Sequence, residues 1–185
     1  MTKNEVRMIY ELNDKLDYNE LIKSQKNTKP VIEDIIGLFL EGDKLANAMD
    51  FIAFLRENNM NPRWASANSW RVTAKNKPVC RIDLGGLPHK WMNHFTIGDW
   101  QISELDSVEQ KYLAAFVGNE TMQPFVWENV MMCRRCSKCG PRTRTYAGKL
   151  FEQCCGLRVL NPDAPALIKA KELVLENKRW LVENL

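Results

Sequence analysis

The stretch Ser69–Leu84, SWRVTAKNKPVCRIDL, carries apolar residues at alternate positions: Trp70, Val72 and Ala74, then Cys80, Ile82 and Leu84, with polar neighbours between them. Side chains of a strand alternate between its two faces, so this period of two predicts a pair of strands. Asn76-Lys77-Pro78 between the two runs is turn chemistry, and the whole reads as a β-hairpin with one buried face. Cys80 falls in the apolar set, which makes it a packing residue and not a ligand. Arg63-Trp64-Ala65-Ser66, just upstream, also has β character and leads into the hairpin.

Outward from the hairpin, the pattern becomes helical on the N-terminal side. Leu45, Ala48, Met49, Ile52, Ala53 and Leu55 form one stripe from Gly42-Asp43, which offers a start, to Asn58, and Asn58–Pro62 ends it. Residues 31 to 40 suit a short helix, and Asn27–Pro30 is a break. Residues 4 to 26 carry Val6, Ile9, Tyr10, Leu12 and Leu16 at helical spacing. On the C-terminal side Phe95-Thr96-Ile97, a Gly98-Asp99 turn and Trp100-Gln101-Ile102 predict a second hairpin. Ser107 to Val117 places Val108, Tyr112, Leu113 and Phe116 on one helix face behind a Ser cap. Asn161–Pro165 then opens a terminal helix with Leu167, Ile168, Leu173, Val174, Trp180 and Leu181 inward. These elements predict an α+β fold, an antiparallel sheet of hairpins packed on helices. The expected division is an α+β core with N-terminal helices over 1–130 and a small metal module plus the C-terminal helix over 131–185.

That module rests on Met131–Gly156, MMCRRCSKCGPRTRTYAGKLFEQCCG, which holds five of the six cysteines. Cys133, Cys136 and Cys139 are spaced C-x2-C-x2-C, and Cys154 and Cys155 follow after a loop. Two-residue gaps let tight turns aim successive thiolates at one ion, and a distant Cys can complete a tetrahedron. Gly140 and Gly156 each follow a candidate ligand and allow the backbone to turn its N–H groups towards the sulfur. The expected set is Cys133, Cys136, Cys139 and Cys155, with Cys154 as the alternate. Zinc is the expected metal. An iron–sulfur cluster is the alternative, although the bacterial ferredoxin run would continue x3-C-P, where Gly140-Pro141-Arg142-Thr143 stands instead. A disulfide framework is disfavoured by chain size and by a start, MTKNEVRMIYELNDKLD, too polar for an export signal. The expected location is therefore the cytoplasm, with no membrane partner, since no apolar run is long enough to cross a bilayer.

Charge is uneven. Residues 131–160 carry seven basic residues against Glu152, a net +6, leaving −3 for the rest of a chain whose total is +3. A four-thiolate zinc site is itself net negative, and nearby cations offset it. An anionic partner, nucleic acid included, is the sharper reading, with Arg134, Arg135, Arg142 and Arg144 as the contacts.

No catalytic constellation is readable. The module has one acid and no His, so an all-thiolate site there reads as structural. His89 and His94 have no identifiable partners and are expected to be ordinary solvated or hydrogen-bonded side chains. A thiol-based enzyme remains as a third class, since Arg134, Arg135 and Lys138 would favour thiolates, but zinc would consume those nucleophiles.

Trp64-Ala-Ser-Ala-Asn68-Ser-Trp70-Arg-Val72, followed by Lys75–Ile82, resembles small bacterial α+β proteins with a YjbR-like or related helix-plus-antiparallel-sheet core. The C-terminal pattern resembles a recurrent uncharacterised bacterial tail: C-x-x-C, Gly148-Lys149-x-Phe151 leading to a Cys, then Asn161-Pro162-Asp163 and a helix. The resemblance covers residues 42 to 102 and 131 to 176. It implies the core fold and a closing cysteine at Cys155, and no established activity. The resulting expectation is a binding or regulatory protein with a structural zinc site.

Overall fold

The computed structural model describes residues 18–85, 98–105, 110–132, 143–152 and 155–184. It is α+β. The predicted hairpin is the centre of a five-stranded antiparallel sheet in the order β1-β2-β3-β4-β9, with β1 Pro62–Ser66, β2 Ser69–Ala74, β3 Lys77–Leu84, β4 Trp100–Ser103 and β9 Val159–Leu160. Strands β1 to β3 form a meander with tight connections. Asn68, at φ 56°, closes the first turn, and Lys75 and Asn76, at 47° and 63°, close the second. Asn tolerates this left-handed region because its short polar side chain bonds locally. Asn68 is buried, and its bonds are made to a residue distant in the chain: its backbone N–H donates to Gln25 Oε1, and its Oδ1 accepts from Gln25 Nε2.

The alternation in β2 and β3 holds. Trp70, Val72, Ala74, Cys80, Ile82 and Leu84 are all buried, and Cys80 is a packed free thiol. The opposite face was expected to be solvated. Instead Ser69, Asp83, Gln101 and Ser103 are buried there, and they satisfy one another. Asp83 accepts from Ser69 Oγ at 2.7 Å, Gln101 Nε2 at 2.9 Å and Ser103 Oγ at 2.6 Å. A carboxylate with three donors can be buried at a cost that a lone one could not meet.

Helix α1 (Tyr18–Thr28) ends at the expected break. Expected helical residues before 18 lie outside the described part, as do Phe95–Ile97 of the second hairpin, whose other half, β4, pairs with β3. A short α2 (Ile32–Ile35) passes into a 3-10 turn (Ile36–Leu38) and then α3 (Gly42–Glu57). The buried face of α3 is Ala48, Phe51, Ile52 and Leu55, while Met49 and Ala53 are exposed, so the stripe lies one sector round from the expected one. Phe51 packs against Trp100, ring centroids 6.1 Å apart, and Trp100 draws that sector inward. Residues Gln110–Phe116 form a 3-10 helix in place of the expected helical face, with Tyr112, Leu113 and Phe116 buried as expected. Ser107 and Val108 lie outside the described residues.

Helix α4 (Met122–Glu128) precedes β5 (Val130–Met132); the module strands are β6 (Arg144–Tyr146), β7 (Lys149–Phe151) and β8 (Cys155–Leu157). The terminal helix α5 (Ala164–Asn184) starts where Asp163 Oδ1 accepts from the Ala166 N–H at 2.9 Å. It buries Leu167, Ala170, Leu173, Val174, Asn177 and Leu181, and leaves Ile168 exposed at 68%, against expectation. Strand β9 pairs with β4, and Asn177 donates to the Val79 carbonyl at 2.8 Å, so the chain from 159 to 184 is built into the same sheet and core as 18–85 and 98–105. Among the described residues no helix is long and apolar enough to cross a membrane.

Candidate metal centre

Two small ladders frame the cysteine-rich segment. In the first, β5 and β8 pair antiparallel, with Val130 opposite Leu157, Met131 opposite Gly156 and Met132 opposite Cys155. Leu157 is fully buried and Val130 packs on the core, whereas Met131 is 40% exposed, so one phase of this ladder is anchored and the other faces out. The ladder is held at its far end by the Arg158 N–H, which donates to the Asn129 carbonyl at 3.0 Å. The Cys133 position is one peptide bond beyond Met132, and Cys155 is the cross-strand partner of Met132. The end of β5 that precedes the C-x2-C-x2-C run and the start of β8 therefore lie at the same end of one ladder.

The second ladder is the hairpin of β6 and β7, with Arg144 opposite Phe151 and Tyr146 opposite Lys149. Ala147 at φ 44° and Gly148 at φ 82° make its two-residue turn, with both central residues at positive φ, which suits the twist of the strands it joins. The hairpin is docked, not free. Tyr146 is fully buried and meets Phe151 edge-on, centroids 5.5 Å apart. Trp127 Nε1 donates to the Tyr146 carbonyl and Gln123 Nε2 to the Ala147 carbonyl, both at 2.9 Å, so α4 grips the turn through its backbone. Lys149 Nζ sits 5.3 Å from the Trp127 ring centroid and 5.4 Å from that of Phe151. Its charge is thus spent on two aromatic faces.

Of the expected ligands, Cys155 opens β8, while Cys133, Cys136, Cys139 and Cys154 lie outside the described residues. So do Arg134, Arg135 and Arg142, and His89 and His94. Arg144 is in β6, half-buried and already engaged with neighbours. Glu152, the one acid of the module, is exposed just after β7. Among the described residues no group of three or more His, Cys, Asp or Glu side chains could hold a metal. Cys80 is away from this region, in β3; burial, with Glu104 and Asp83 adding to it, pushes its thiol well above the ordinary range, as befits an inert core residue.

A pair of arginines with no sequence motif to mark it lies elsewhere, in β1 and β2. Arg63 and Arg71 face one another across β1 and β2, and both are exposed. The signal was present as a 25-residue run, 58 to 82, with five basic residues and no acid, but it was averaged away in a remainder whose net charge is −3.

No family model, no curated protein and no solved structure matches the chain.

Proposed function

We propose that residues 131–157 form a structural zinc module fastened to the α+β core, and that the protein acts as a binding or regulatory module and not as an enzyme. The observation that supports this most is the register of β5 and β8. It brings the entry to Cys133 opposite Cys155 although twenty-one residues separate those two cysteines in the chain. A ladder of three residue pairs is marginal in water by itself. An ion gripped by thiolates at its end would supply the missing stability, since metal binding energy becomes folding energy when the site exists only in the folded state. The donor set fits zinc: soft thiolates, two-residue gaps and glycines after two of them. Cys133, Cys136, Cys139 and Cys155 would hold it, and the surrounding arginines and lysine would offset the excess negative charge of four thiolates.

Elemental analysis of protein purified without added metal tests the reading, with a single zinc per chain as the expected result. Iron in place of zinc would favour the cluster alternative, and no metal would refute the module. Cys155→Ser should release the zinc, while Cys154→Ala should keep it at a modest cost to packing. The reverse pattern would move the fourth ligand to Cys154.

A further inference from the structure

Independently of any metal, we propose that a groove on the outer face of β1 and β2 binds the phosphate group of a small phosphorylated molecule, with Arg63 and Arg71 as its paired ligands. The groove has a volume of about 310 Å³ and is lined by Arg63, Trp64, Ala65, Arg71, Thr73 and Asn76. That is the lower end of the range for small-molecule sites. Its lining contains two guanidinium groups, a hydroxyl and an amide, and no acid.

Register places these cations together. Arg63 is the cross-strand partner of Arg71, Arg71 of Arg81, and Arg81 of Ser103, so three arginines and a serine share one line across one face. Like charges directly opposed across a strand pair are unfavourable, by some tenths of a kcal/mol to about 1 kcal/mol. At Arg81 the cost is offset within the protein, because its Nη2 is 3.0 Å from Glu104 Oε1. Among the described residues Arg63 and Arg71 have no ion-pair or side-chain hydrogen-bond partner, and the turn beside them adds Lys75 and Lys77. An anion accepting from both guanidinium forks would remove the repulsion and use the bidentate geometry that arginine offers and lysine does not. Thr73 and Asn76 are placed to add neutral donors.

The charge is local. Glu104 neutralises the third arginine of the line, so the free cations do not extend along the sheet as a track for a nucleic-acid backbone, which needs a succession of phosphate contacts. A single phosphate in a groove of this size fits both the charge count and the volume.

The test is titration of the full chain with inorganic phosphate at fixed ionic strength, followed by amide chemical shifts. Saturable shifts confined to 62–76 are expected. Arg63→Gln and Arg71→Gln should each weaken binding about tenfold or more. Both sites are exposed, so both variants should fold, and without phosphate they should be as stable as the parent or slightly more so, because opposed like charge has been relieved. Arg71→Lys should recover only part of the affinity. Arg134→Gln with Arg135→Gln should leave the titration unchanged, which separates this groove from the cysteine module. No saturable binding, or binding indifferent to Arg63 and Arg71, would overturn the proposal. Single-stranded oligonucleotides that bind at these arginines with affinity rising with length would overturn it in favour of a nucleic-acid surface.

Discussion

Cys80 and Asp83 lie three residues apart on one strand, and the fold treats them in opposite ways. Asp83 is buried because three side-chain donors surround its carboxylate. Cys80 is buried as a neutral thiol among apolar neighbours, and its ionisation is suppressed mainly by desolvation. The sign of the linkage follows. In the unfolded chain a thiol ionises near pH 8.5, whereas the folded protein keeps this proton to higher pH, so stability contributed by Cys80 is complete below that value and falls above it. Between pH 8.5 and 9.5 the parent should lose about 1 kcal/mol more than Cys80→Val, measured by urea unfolding at each pH. The cysteines of the module titrate in both proteins and cancel. Equal pH dependence in the two would mean that the buried thiol ionises in the native state. This role for Cys80 was legible from strand alternation alone. The burial of Asp83 was not, because its three partners come from two further strands, and nothing local in Arg-Ile-Asp-Leu marks a charge that will be enclosed.

At the scale of elements, the hairpin β6–β7 docks the cysteine-rich segment on the core, and its turn is a sharp point of failure. Gly148 has φ 82°, and a Cβ there would stand 3.4 Å from Val117 Cγ2, an ordinary contact, so Gly148→Ala meets backbone strain and no clash. A loss of about 1 kcal/mol is expected from the backbone alone, read as a lower thermal midpoint. Gly37→Ala, where no atom lies within 4 Å and φ is ordinary, should change stability by under about 0.5 kcal/mol. A similar effect at both sites would mean that alanine meets no backbone strain at position 148. Element type was readable wherever a long periodic run existed, as in α3, β2, β3 and α5. Which sector of α3 faces inward was not, since apolar side chains stand on both sides of Ile52, and Trp100 decides for Phe51 over Met49. The pairing of β5 with β8 was also hidden. Two three-residue strands separated by 22 residues carry no period, and only their register relates Met132 to Cys155.

Across the whole molecule, the chain after the cysteine segment returns to the core, which decides what metal removal should do. Strand β9 adds to β4 at Gln101 and Ile102, and the turn that follows is pinned where Asn161 Nδ2 donates to Asp99 Oδ1 at 2.7 Å and Lys44 pairs with the same oxygen at 2.9 Å. Asn47 donates to the Pro162 carbonyl, and α5 then packs its buried face against the common core. None of these contacts passes through 133–154. The ladder β5–β8, by contrast, is packed inward through Val130 and Leu157 and ends at the proposed ligands. Local opening follows such differences in buried contact, so chelation at neutral pH should raise amide exchange over residues 131 to 157 while α3, β2, β3, β9 and α5 stay protected. The docked turn at Tyr146 should exchange more slowly than the rest of the module, because Trp127 and Gln123 hold its carbonyls without help from a metal. Exchange rising across the whole chain at once would show that the ion supports the core itself. Unchanged exchange at Met131, Met132 and Cys155 would show that the ladder needs no ion, and the zinc reading would lose its structural role.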